Sequence, residues 1–160
     1  MQRVRRSPQE QVRLDGELTA LCEELITFNR TLGLKVDSLD PATGPRLSFS
    51  MRDELVGHFL YGQLHGGVIS AVLDATGGIA LMVASAEKHN DENTEQVMAR
   101  FARVGTIDLR VDYLRRGIGQ RFHASAQVTR LGGRIGSTQM RLENETGELI
   151  ATGAAAYVLS

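Results

Sequence analysis

A chain of 160 residues has room for one domain, and its 18 Lys+Arg against 19 Asp+Glu leave a formal net charge of −1. That balance excludes a binder of nucleic acid or anionic membrane that works through a basic patch. With 42% hydrophobic and 23% charged residues the composition is that of a folded globular protein. A single cysteine, Cys22, excludes an intrachain disulfide and any multi-cysteine metal cage.

The first residues, MQRVRRSPQEQVR, are basic, but no apolar core follows them as in a secretory signal. Ser7 followed by Pro8 is a helix start, and a helix is expected from there to about Phe28. Leu14, Leu18, Leu21, Leu25 and Phe28 recur at three- and four-residue steps and form its apolar stripe. Cys22 on this helix reads as a small core residue. LGLKVDSLD and RLSFSMRD, joined by PATGP, read as a hairpin.

Gly67–Ala86 is different, because it is apolar nearly all round. Twenty such residues as a helix would be about 30 Å long, enough for a bilayer. Asp74 inside it, and the lack of a second hydrophobic segment, favour a buried core helix over a membrane span. A soluble, cytoplasmic protein without stable membrane insertion is expected. Gly77 and Gly78 each cost about 1 kcal/mol relative to alanine in mid-helix, so something must approach the helix closely there. Asp91–Arg103 reads as a short polar helix with Thr94 as its N-cap.

The last third is β. In Thr106–Leu114, Ile107, Leu109, Val111 and Tyr113 alternate with Thr106, Asp108, Arg110 and Asp112. Strands follow near Arg121–Leu131, Arg134–Glu143 and Leu149–Leu159, separated by the turn segments RRGIGQ, LGG and ENETGE. Short connections predict a four-stranded meander. The class is α+β: an antiparallel sheet wrapped around one long central helix, with an extra N-terminal helix. Residues 1–30 form a helical extension in this reading, and 31–160 the domain.

Chemistry concentrates in LHGGVISAVLD, residues 64–74. Two glycines open the helix whose N-terminus presents unpaired N–H groups, the parts of an oxyanion site. Asp74 is a lone acid in an apolar helix, where burial would disfavour its charge. It reads as a base, a nucleophile or a hydrogen-bonded structural acid. Eight residues from Gly66 to Asp74 span about 12 Å, too far for one carbonyl to touch both. Both groups can act on one carbonyl only if they come from two chains. The four histidines, His58, His65, His89 and His123, lack HExxH or HxH spacing, so no metal is expected. No G-x-S-x-G elbow, P-loop or dinucleotide fingerprint occurs.

HGG with an acid nine residues after the histidine, followed by GTIDLRVDYLRRG, resembles the hotdog-fold thioesterases of the PaaI/4-hydroxybenzoyl-CoA thioesterase type. HGGVISAVLDATGG and the LGGR turn are similar to those of the YigI-like bacterial acyl-CoA thioesterases. The resemblance covers about Leu32 to Leu159. It implies hydrolysis of an acyl-CoA to a carboxylic acid and CoA, without metal or redox cofactor, by a homodimer or homotetramer. Asp74 would be the general base or nucleophile, Gly66 the backbone N–H donor, and Gly67 part of the helix opening. His65 stands in the motif, with loop stabilisation and acid–base chemistry both open. Thr106 falls where relatives place a hydroxyl near the attacking water. Relatives often carry an asparagine six or seven residues before HGG, where this chain has Phe59 and His58; His58 or the nearer Gln63 is the candidate replacement. Arg115, Arg116, Arg130 and Arg134 are candidates, as a group, for coenzyme A. A medium- or long-chain substrate is favoured. An aryl-CoA thioesterase, an acyl-thioester dehydratase or hydratase, and a non-catalytic acyl-CoA-binding protein are the alternatives.

Overall fold

The computed structural model describes residues 4–159; the first three residues of the expected extension, and residue 160, lie outside the described residues. Helix α1 runs Pro8–Ala20, capped by Ser7, whose hydroxyl accepts from the Glu10 N–H. The expected single helix to Phe28 does not form. The chain widens into a π turn at Leu21–Leu25, leaves helical geometry at Ile26, and restarts as α2, Thr27–Leu32. One inserted π turn rotates everything beyond it by roughly a third of a turn. Leu14 and Leu18 remain buried, but Leu25 and Phe28 are 69% and 59% exposed. Cys22, Asn29 and Leu32 face inward instead. Burial pushes the Cys22 thiol up to about 11, so it is an inert packing group.

Strands β1 (Lys35–Ser38) and β2 (Arg46–Ser50) form the expected hairpin. Its turn comes so close to the sheet that a Cβ at Gly44 (φ +80°) would overlap the Ala126 carbonyl oxygen. A small hairpin not foreseen in the sequence, β3 (Val56–His58) and β4 (Gln63–Leu64), leads into α3. Helix α3, Gly66–Lys88, is long and apolar enough to cross a membrane, yet it packs against β5 to β8 as a core helix. Its C-terminus is closed by the segment before α1. The buried Arg6 guanidinium donates to the carbonyls of Ala86, His89 and Glu92, and the Arg6 N–H donates to Asn90 O. Helix α4, Thr94–Phe101, is capped by Asn93 rather than Thr94. Asn93 and Gln96 form a reciprocal capping box, while the Thr94 N–H is taken by the Glu10 carboxylate.

Strands β5 (Gly105–Tyr113), β6 (Arg121–Leu131), β7 (Ile135–Asn144) and β8 (Leu149–Val158) complete a six-stranded antiparallel sheet ordered β1-β2-β6-β7-β8-β5. The expected meander holds for β6, β7 and β8 only. β5 pairs with β8 at the edge, because β2 occupies the side of β6 where β5 would otherwise lie. Inward-facing residues of the central strands include Phe122, Ala124, Ala126, Met140, Leu142, Ala151, Ala155 and Tyr157, all buried. The small ones let a 23-residue helix settle onto the sheet. A curved antiparallel sheet around one central helix is the hotdog fold.

The π turn makes two positions of one sequence stripe behave oppositely. Leu14→Ala should cost about 2–5 kcal/mol of stability. Phe28→Ser should change it by less than about 0.5 kcal/mol, both read from denaturant unfolding.

Candidate active site

His65, extended at φ −64° and ψ 137°, is the N-cap of α3. Its ring Nδ1 accepts from the Gly67 N–H at 2.8 Å. His65 is itself fixed by its own N–H donating to Leu55 O. Glycine at 67 is needed because a Cβ there would sit 2.9 Å from that nitrogen. The capping bond occupies Gly67 and leaves the Gly66 N–H without an acceptor among the described residues. Gly66 O accepts from the Tyr113 hydroxyl at 3.1 Å, and the Tyr113 ring lies 3.4 Å from where a Gly66 Cβ would be. The mouth of α3 thus presents one free backbone donor beside an aromatic wall.

Two turns further on, Asp74 is half-buried in the single chain, not sequestered as the apolar sequence around it led one to expect. One stripe of α3 around Gly67, Ala71, Asp74 and Gly78 is only partly covered by the sheet, and Asp74 stands in it. The Thr106 hydroxyl donates to Asp74 Oδ1 at 2.8 Å. Strict alternation would put Thr106 on the outer face with Asp108. A β-bulge between them brings Thr106 to the helix side. Asp108 Oδ1 then accepts from the Ala156 N–H beside the bulge. Alternation in the sequence could not reveal this extra residue.

Other candidate residues fall into two groups. Arg116 stacks over the Tyr61 ring at 4.2 Å, and Arg115 donates to Leu149 O and pairs with Glu148. Both lie near the mouth of α3, where the Leu64 N–H donates to Gly117 O. Arg130 and Arg134 lie at the other end of the sheet, where Leu159 N–H donates to Arg134 O and Val158 pairs with Gly105. One chain therefore does not gather the four arginines. His58 packs its ring against Phe59 and Tyr61 and keeps Nδ1 unpartnered, while Gln63 is half-buried in β4. Phe59 is 86% exposed and Leu60 and Tyr61 are also exposed, a feature the sequence reading did not single out. Among the described residues no cluster of three or more His, Cys, Asp or Glu could hold a metal ion.

Residues 61–151 match the family model described as Thioesterase superfamily. The chain is 36% identical over 132 residues to the medium/long-chain acyl-CoA thioesterase YigI of Salmonella typhimurium, covering 82% of this chain and 84% of that protein. The Escherichia coli K12 protein of the same name is 35% identical over the same length and shares of chain. A Shewanella oneidensis structure related to the thioesterase superfamily superposes with a TM-score of 0.89 at 34% identity, covering 97% of this chain and all of that one. The chain belongs to the thioesterase superfamily. It is an enzyme, a thioester hydrolase.

His65→Ala should remove the α3 cap and lower stability by about 1 kcal/mol. His65→Asn, with a side-chain oxygen to take the Gly67 N–H, should restore most of it in thermal unfolding.

Proposed function

We propose that this enzyme hydrolyses medium- or long-chain acyl-CoA to the free acid and CoA, with Asp74 as general base or nucleophile and the Gly66 N–H as oxyanion donor. The observation that carries the reading is an unoccupied N–H at the mouth of α3 together with the Asp74 carboxylate on the same helix, which accepts from Thr106 of β5. The substrate class comes from the two YigI proteins, named for medium/long-chain acyl-CoA. Water is the second substrate, and the reaction calls for no cofactor. His65 Nδ1 is committed to Gly67, which weighs against a dehydratase relying on that histidine.

The site is completed by a second chain. About 12 Å of helix separates Gly66 from Asp74, whereas a reacting carbonyl must lie within roughly 3–3.5 Å of its nucleophile. Two antiparallel α3 helices, facing through these half-buried stripes, bring Gly66 of one chain to Asp74 of the partner subunit. β5 supports this pairing. It is an edge strand with Ile107 and Tyr113 half-exposed, an unpaired ladder suited to another chain. The same antiparallel arrangement carries Arg130 and Arg134 of one chain toward Arg115 and Arg116 of the other. Four guanidiniums at one end suit the phosphates of coenzyme A. A bacterial cytoplasm, where acyl-CoA is formed, fits this role.

Asp74→Asn should keep the fold and lower kcat at least about 100-fold; turnover near wild type in the folded variant removes Asp74 from the mechanism. Gly66→Pro removes the N–H donor but should fold, since proline suits the first position of a helix and His65 already has the extended conformation required before proline. Co-expressed Gly66→Pro and Asp74→Asn chains should recover about a quarter of wild-type activity, because half the dimers carry one intact site of two. A verified heterodimer no more active than either parent would rule out a shared site.

A further inference from the structure

Tyr157 is a buried titratable group that the reaction as described leaves unused. It lies on β8, 2% exposed, with its hydroxyl against α3. Tyr157 Oη donates to the main-chain carbonyl of Asp74 at 2.9 Å. That carbonyl also belongs to the i→i+4 ladder of α3, so the turn bearing Asp74 is held both from within the helix and from the sheet.

Gly77 makes this contact available. A Cβ at Gly77 would overlap the Tyr157 hydroxyl oxygen, and would lie 2.8 Å from Thr138 Oγ1 and 3.2 Å from Met140 Sδ. Glycine in mid-helix is unfavourable, and here it leaves the space that the phenol enters. Burial is the main cause that pushes the Tyr157 hydroxyl above the usual tyrosine range; the Asp74 charge and hydrogen bond add to it, and Thr138 opposes it. The phenol is therefore a neutral donor at any working pH.

Register links this contact to the other one on Asp74. Thr106 and Tyr157 are direct cross-strand partners of β5 and β8. The Thr106 hydroxyl holds the Asp74 carboxylate and the Tyr157 hydroxyl holds the Asp74 backbone. Two adjacent positions on paired strands fix both ends of one residue.

We propose that Tyr157 is a positioning residue for Asp74, seated against the α3 backbone in the space that Gly77 leaves open. The proposal rests on the reading of Asp74 as the catalytic acid. Its effect is on the placement of the attacking group, to which rate is sensitive at the scale of an ångström. It belongs to kcat rather than to substrate binding.

The test uses the full chain with decanoyl-CoA as probe, measuring released CoA, with folding checked by circular dichroism and thermal unfolding. Tyr157→Phe should lower kcat at least about fivefold, the rate equivalent of one hydrogen bond, with KM within about twofold. Gly77→Ala, which displaces the hydroxyl, should do the same. The double variant should lose less than about twofold beyond Tyr157→Phe alone, since the two changes remove one contact. In an Asp74→Asn background, Tyr157→Phe should leave the residual rate unchanged. Wild-type kcat in folded Tyr157→Phe, or an effect confined to KM, overturns the proposal while a dead Asp74→Asn keeps the Asp74 reading. Wild-type kcat in Asp74→Asn overturns both. Should Tyr157→Phe fail to fold, the kcat of Gly77→Ala decides.

Discussion

Everything in this molecule answers to the apolar circumference of α3. A helix with so little polar surface is stable only where it is covered, and a single helix partner would leave most of it in water. A curved sheet covers more. The inner faces of β6, β7 and β8 combine alanines and glycines with larger side chains, and the helix packs against them. The sheet covers one stripe only in part, and that stripe carries Asp74. The surface that the fold buries least is also the surface that bears the proposed base.

The elements of the proposed site follow from the first turns of that helix. Its first turn supplies a donor because helices begin with N–H groups that have no internal partner. His65 takes one of them and leaves Gly66 free. The acid lies two turns along, anchored by Thr106. In the proposed mechanism neither position alone performs the chemistry, and their separation along a rigid rod makes pairing of chains part of it.

Much of this was legible in the residues. α3, the four long strands and the HGG–Asp74 spacing were readable because apolar period and turn residues agree over long stretches. The topology was less so: nothing in the local sequence of β5 tells it to pair with β8 rather than β6, since that depends on β2 taking the β6 edge. The π turn after Ala20 was hidden because Leu21, Leu25 and Phe28 continue the helical spacing even though the backbone does not. Thr94 looked like a cap by type, but the reciprocal bond between Asn93 and Gln96 decides the boundary. Burial of Asp74 was overread, because an apolar sequence reports hydropathy and not which stripe the sheet leaves open. The glycine pair signalled a close approach, which the structure shows at Gly77 and not at Gly78; that a tyrosine hydroxyl meets Gly77 was visible only in three dimensions.

Arg6 gives α3 an electrical asymmetry. A cation buried against the carbonyls of Ala86, His89 and Glu92 neutralises the negative pole of the helix, while the positive pole at Gly66 has no counter-charge. A helix dipole acts only within its terminal turns, so the two poles are separate: Arg6 settles the far end, and the free N–H of the first turn sets the potential at the near one.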